Sequence, residues 1–221
     1  MSLVKTRWTG QLLKKDIVSD VVCPWCVIGY KRLEKAIVEM GIQDKVEIEW
    51  QPFELNSNMP AEGENIDDHI SRKYGTSKED NARSKAQLSK LGEELDFKFD
   101  YFDTMKMPNT RDAHILIDYA KENGKQTEMN VRLVEAFFSE RKDISNRDVL
   151  IQELKSIGLD EKEALARLEN VSYREQIKVN EAVWQNKGVR SVPTIVFNGK
   201  SALNGAQPIY VYKQVLADLI K

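Results

Sequence analysis

The chain has 221 residues, 41% of them hydrophobic, which is enough to bury a substantial core in one or two domains. Its 33 basic and 35 acidic side chains nearly cancel to a formal charge of −2, so no basic field recommends a nucleic acid as partner. No apolar run approaches a membrane span and the first residues lack the apolar core of a signal peptide, so a cytoplasmic protein with no membrane partner is expected.

Asp16-Ile17-Val18-Ser19-Asp20-Val21-Val22 is a short β-branched run, as expected of a buried strand. Cys23-Pro24-Trp25-Cys26 follows directly and holds the only two cysteines of the chain. Tyr30, Leu33, Ile37 and Met40 then recur at helical spacing, with Gly41 as a stop. The cysteine motif therefore lies at a strand-to-helix junction. Pro24 suits a first helical turn, where its missing N–H has no intrahelical partner, and this puts Cys23 at or next to the N-cap. Free N–H groups and the positive end of the helix dipole favour a thiolate there. Cys26, one turn on, faces the same side and is able to close on Cys23. The pair is read as catalytic, with Cys23 as nucleophile and Cys26 as resolving thiol.

Three other roles compete less well. A structural zinc site needs about four ligands, and two cysteines with His69 and His114 lack the paired spacing, so no metal is expected. A structural disulfide across so short a loop constrains little unfolded-chain entropy. Two inert buried thiols would place both cysteines at this spacing on a helix start only by chance.

Val46-Glu47-Ile48-Glu49-Trp50 alternates apolar and acidic, a strand with one wet face, and completes a right-handed βαβ unit. From Met59 the pattern turns helical for roughly a hundred residues. Ala113, Leu116, Ile117 and Ala120 form one apolar stripe; Leu133, Val134, Phe137 and Phe138 form a second; Leu150, Ile151, Leu154 and Ile157 form a third. Starts are signalled by Asn109-Thr110-Arg111-Asp112, by Ser145-Asn146-Arg147-Asp148, and by Asp160 with Glu163. Within this block His114 reads as a hydrogen-bonded helix residue in preference to a base near Cys23, and His69 as solvated. Met105-Lys106-Met107-Pro108 reads either as an adaptable lid over the thiols or as a plain connecting loop.

Val192-Pro193-Thr194-Ile195-Val196-Phe197 returns to strand, and Asn198-Gly199 is a type I′ hairpin signal before Lys200-Ser201-Ala202-Leu203. Proline at the entrance of a central-looking strand is awkward, and a cis Val192–Pro193 bond in a tight turn explains it. Gly205-Ala206-Gln207-Pro208 turns the chain into a last helix carrying Ile209, Tyr212, Leu216 and Leu219. The expected architecture is one α/β domain in two parts, residues 16–58 and 186–221, separated by a helical subdomain over residues 59–185.

Cys-Pro-Trp-Cys after a strand, a long helical insertion, and Ser191-Val192-Pro193-Thr194 ahead of a hairpin together resemble the DsbA-like branch of the thioredoxin superfamily. Within it, Ser19-Asp20-Val21-Val22 before the cysteines, Trp50-Gln51-Pro52-Phe53-Glu54-Leu55, Asn109-Thr110 with Ala113-His114, and Gly205-Ala206-Gln207-Pro208 resemble the FrnE-like proteins. The resemblance runs from about Asp16 to the C-terminus. It implies a thioredoxin fold with a large inserted all-helical subdomain and a cis proline at Pro193 facing the thiols. Pro24, Trp25, Val192 and Pro193 are then the substrate-binding residues beside catalytic Cys23 and Cys26. The implied activity is thiol–disulfide exchange with a protein or small-molecule disulfide or dithiol. No bound cofactor is implied, glutathione would serve as a redox co-substrate, and the chain would act as a monomer or homodimer.

Two alternatives remain open. One is a glutathione-dependent isomerase or transferase resembling 2-hydroxychromene-2-carboxylate isomerase, whose relatives tend to carry Ser where Cys23 stands. The other is a non-catalytic holdase that binds apolar segments. DsbA itself has His in place of Trp25, so its oxidising strength does not carry over. Some FrnE-like proteins have a second cysteine pair near the C-terminus; here all electrons would pass through Cys23 and Cys26.

Overall fold

β1 (Leu13–Ser19) opens the fold in the computed structural model, which describes residues 12–221; residues 1–11, where a signal peptide would lie, are outside it. The strand begins at Leu13 and ends at Ser19, earlier than the expected run of Asp16 to Val22. Lys14 and Lys15 hid its start, because lysines inside a strand break the apolar pattern. Residues 20–22 instead form a turn closed by the Cys23 amide donating to the Asp20 carbonyl at 3.1 Å. Next come α1 (Pro24–Glu39) and β2 (Val46–Pro52). A helical stretch follows, with β3 (Glu64–Asn65), α2 (Ile66–Tyr74), α3 (Lys78–Glu93), β4 (Lys106–Met107), α4 (Arg111–Glu122), α5 (Gln126–Phe138), α6 (Arg147–Ser156), α7 (Glu161–Glu169) and α8 (Val171–Asn186). The chain ends with β5 (Thr194–Phe197), β6 (Ser201–Asn204) and α9 (Ile209–Ile220).

Four strands form one sheet in the order β2-β1-β5-β6. β1 pairs parallel with β2, setting Ile17 beside Trp50, and antiparallel with β5, setting Ile17 beside Ile195. The β5–β6 hairpin turns at Asn198 and Gly199 with φ of 49° and 67°, the two positive values that a type I′ turn requires. The free edge of β2 is capped by Gln126, which accepts from the Trp50 amide and donates to the Trp50 carbonyl, both at 2.9 Å.

Strand alternation divides the core. Ile17, Ile195 and Phe197 face one way and are buried with Leu33 of α1 and Tyr212 and Leu216 of α9. Val18 and Val196 face the other way and pack with Trp184 of α8. The sheet is thus covered by α1 and α9 on one face and by α8 on the other, a thioredoxin fold with a large helical insertion. Inside the insertion the three apolar stripes are buried, with Ile157 only partly so, and each buried Leu or Phe contributes about 1.5–3 kcal/mol. Its helices start where the capping residues stand: the Asn146 side chain accepts from the Asp148 amide and Asp160 from the Glu163 amide. The segment around Met105 is not a plain loop. Lys106–Met107 is strand β4, paired with β3, and Met105 is 2% exposed in the core.

Candidate active site

Cys23 is the N-cap of α1, with φ −90° and ψ 108°, and its sulfur accepts from the Cys26 amide at 3.3 Å. Pro24 follows in the first helical turn, where no N–H is required. An anionic sulfur here meets an amide proton and the positive end of the α1 dipole. The Cys23 thiol also lies 3.9 Å from the Val192 carbonyl, to which it donates. The Val192–Pro193 bond is cis. Two segments at opposite ends of the chain therefore meet at one sulfur.

The proline loop approaches α1 closely at Gly29. A Cβ on Gly29 would lie 3.1 Å from Pro193 Cγ, so that ring would have to give by a few tenths of an ångström, and 3.5 Å from Ala206 Cα, an ordinary contact. The loop is held from its far side as well: the Pro193 carbonyl accepts from the Gly205 amide at 2.8 Å, and Arg32 donates to the Ala206 carbonyl at 2.9 Å. The turn into α9 thus braces the proline loop.

Both cysteines are free thiols, each 4% exposed. Burial pushes the Cys26 thiol well above its ordinary range and the adjacent Cys23 adds to this, while the Ser19 hydroxyl and the Asp20 amide pull the other way. Burial thus favours the protonated form of Cys26.

Cys23, Pro24, Trp25 and Val192 border a cleft of about 450 Å³. Cys26 lies behind them and Pro193 packs on Gly29, so neither lines the cleft. The opposite wall comes from the helical insertion, including Ile70, Tyr74, Leu88 and Tyr101. Trp25 on the rim is 41% exposed and Tyr74 is 61% exposed. The Tyr101 hydroxyl has no hydrogen-bond partner among the described residues. The sequence reading missed the insertion's side of the cleft, because only tertiary packing brings α2 and α3 over the thiols. His69 is corrected too. It is buried, with Nδ1 3.0 Å from Glu64 Oε2 and Nε2 3.0 Å from Asn56 Oδ1, and it lines the cleft instead of facing solvent.

His114 does more than hydrogen-bond within its helix. Its Nε2 lies 3.4 Å from Asp20 Oδ1, in the turn before Cys23, and both residues are buried. Asp20 Oδ2 accepts from the Leu55 amide at 2.8 Å. Arg111 donates twice to Glu54 Oε1, at 3.0 and 2.8 Å, and Glu181 accepts from the Glu54 amide. Burial alone would lower the His114 pKa, but Asp20, with Glu54 and Glu181 behind it, raises it above the ordinary histidine value. Asp20, Glu54, and Arg111 with His114, from three separate motifs of the sequence, thus meet in one polar cluster beside the turn that leads to Cys23. Among the described residues no group of three or more His, Cys, Asp and Glu is placed to hold a metal ion, and no helix is long and apolar enough to cross a membrane.

A family model described as the DSBA-like thioredoxin domain matches residues 16–217. The chain belongs to that family. The FrnE-like resemblance read from the sequence falls within it. This DSBA-like chain is 28% identical over 204 residues to the uncharacterized protein YwbO of Bacillus subtilis (strain 168), covering 91% of this chain and 94% of that one. Among solved structures it is similar to a probable DsbA oxidoreductase, SCO1869, from Streptomyces coelicolor, with a TM-score of 0.87, 26% identity, and coverage of 93% of this chain and 89% of that one. The cytosolic disulfide reductase DsbM from Pseudomonas aeruginosa, solved with GSH, shares the fold at a TM-score of 0.65 and 14% identity, over 94% of this chain and 99% of that one.

Proposed function

We propose that this DSBA-like chain is a thiol–disulfide oxidoreductase working through Cys23 and Cys26. The observation that carries the reading is the position of the Cys23 sulfur, on the α1 N-terminus, accepting the Cys26 amide, at the border of the cleft. The Cys23 thiolate attacks one sulfur of a substrate disulfide. The substrate S–S bond breaks, a mixed disulfide forms, and the first substrate thiolate leaves and takes a proton from solvent. Cys26 then attacks the Cys23 sulfur, the Cys23–substrate bond breaks, and the second substrate thiolate leaves. The chain is left with a Cys23–Cys26 disulfide, and two glutathione thiols restore the dithiol as they become glutathione disulfide. Run backwards, the same steps donate a disulfide. The GSH bound to DsbM supports glutathione as this co-substrate. A reducing compartment such as the cytoplasm suits that cycle.

The other site residues take supporting roles. Val192 offers its backbone to an extended substrate segment, a local β-addition that aligns the substrate sulfur with Cys23. Pro193 holds that backbone against Gly29 and places no competing side chain by the thiols. Pro24 starts the helix and Trp25 gives the cleft an aromatic rim. Trapping tests the assignment. Cys26→Ser is expected to accumulate mixed disulfides, visible as reductant-sensitive adducts by mass spectrometry, and Cys23→Ser to form none. Equal trapping by both variants contradicts the division of labour, and no trapping by either contradicts the function.

A further inference from the structure

The cleft beside Cys23 holds about 450 Å³, within the roughly 300–1,000 Å³ of sites that take small molecules. Its walls are mainly apolar, with Ile66, Ile70, Leu88, Met107 and Phe138 on the side of the insertion. Apart from Cys23 and the two tyrosines, three titratable side chains line it, and each is already engaged. Lys85 reaches Asp67 at 2.6 Å, His69 lies between Glu64 and Asn56, and Asp80 pairs with Arg83. A carboxylate or ammonium carried in by a ligand would lose its water and find no uncommitted counter-ion on these walls, which is costly. Three aromatic rings complete the lining. Trp25 stands on the α1 rim and Tyr74 at the end of α2, and both are exposed. Burial raises the pKa of the Tyr74 and Tyr101 phenols and the charge of Cys23 adds to it, so both rings lie within electrostatic reach of that sulfur. The space next to the reacting sulfur is therefore bordered by aromatic faces.

We propose that the cleft takes an uncharged, low-molecular-weight aromatic disulfide, with the ring next to the attacked sulfur packed between Trp25 and Tyr74. The proposal names the substrate class of the dithiol function proposed above and rests on that function. The Cys23 thiolate attacks the sulfur that carries the packed ring, the aryl S–S bond breaks, and the other aryl thiolate leaves and takes a proton from solvent. Cys26 then bonds to the Cys23 sulfur, and the second aryl thiolate leaves and is protonated in turn. One aryl disulfide has gained two electrons and two protons to become two aryl thiols, and the chain has gained the Cys23–Cys26 disulfide. A flat ring between two aromatic side chains gains more than its buried area alone provides. An aliphatic group loses that contact, and a charged group is desolvated without a partner. Glutathione acts in the restoring half of the cycle, where the Val192 backbone suits its extended chain.

Four disulfides offered to the pre-reduced protein test the substrate class: neutral aromatic 4,4′-dithiodipyridine, anionic aromatic 5,5′-dithiobis(2-nitrobenzoate), neutral aliphatic bis(2-hydroxyethyl) disulfide, and the disulfide of a short uncharged cysteine peptide. Each rate constant is divided by that of dithiothreitol with the same disulfide, which cancels the intrinsic reactivity of the leaving thiol. The normalised constant for 4,4′-dithiodipyridine is expected to exceed each of the others by at least about tenfold. Tyr74→Ala is expected to lower the ratio of the dithiodipyridine constant to the bis(2-hydroxyethyl) constant by about two- to tenfold, the worth of one ring contact, and Tyr74→Phe to keep it. Tyr74 is exposed, so neither variant threatens the fold. Equal normalised constants, a preference for the peptide, the aliphatic or the anionic disulfide, a ratio unchanged in Tyr74→Ala, or one that falls as far in Tyr74→Phe each overturns the proposal. No reaction with any of the four instead overturns the dithiol function on which it rests.

Discussion

Lys15 carries an ammonium group into the same face of β1 as Ile17. The residue is fully buried, and Nζ sits 5.2 Å from the centroid of the Phe197 ring with no hydrogen-bond partner among the described residues. Burial lowers its pKa from 10.5 to about 8. The folded state therefore binds fewer protons than the unfolded state between about pH 8 and 10.5, so Lys15 penalises folding below that window and the penalty fades as pH rises through it. Each pKa unit corresponds to about 1.4 kcal/mol. Lys15→Met is expected to stabilise the protein by about 1–3 kcal/mol at pH 7 and by much less at pH 10, read from urea midpoints. An equal gain at both pH values contradicts the charge argument. At the same scale, the thiols were legible from sequence because proline and two cysteines at a strand-to-helix junction leave little conformational choice. Lys15 was not, since no pattern announces a buried lysine.

Among the elements, α4 ties the insertion to the thioredoxin part. Arg111 at its first turn binds Glu54 after β2, and the Glu54 side chain is 1% exposed. Removing one partner of a buried pair strands the other charge, which typically destabilises by about 3–5 kcal/mol. Arg111→Ala is expected to fall in that range by denaturant unfolding, and adding Glu54→Leu should recover most of the loss. A loss below about 1 kcal/mol in the single variant contradicts a buried pair. The start of α4 was visible in Asn109-Thr110-Arg111-Asp112, and the Asn109 side chain does accept from the Arg111 amide at 3.1 Å. The partners of α4 were not visible. Helical periodicity tells which face is buried without telling what it is buried against, so His114 reads as a local helix residue until Asp20 is found beside it.

Over the whole molecule, two sheet segments separated by a long helical stretch were enough to indicate one α/β domain with a helical insertion, because strand, turn and hairpin signals are local, while the thioredoxin fold itself was implied by the family resemblance of the motifs. The cleft is a different kind of feature. One wall comes from the N-terminus of α1 and the proline loop, the other from α2, α3 and Tyr101, and only the packing of the insertion over the sheet brings them to about 450 Å³ of shared space. Tyr74 and Tyr101 could not be chosen from the sequence for that reason. The function assigned to this arrangement rests on reversible chemistry at one pair of sulfurs. Equilibrating the protein in glutathione buffers of graded redox ratio, and counting free thiols by alkylation and mass spectrometry, tests it directly. A single two-electron transition between two free thiols and a Cys23–Cys26 disulfide, lost in both Cys23→Ser and Cys26→Ser, is the predicted result. Two thiols that stay free at every ratio would contradict it.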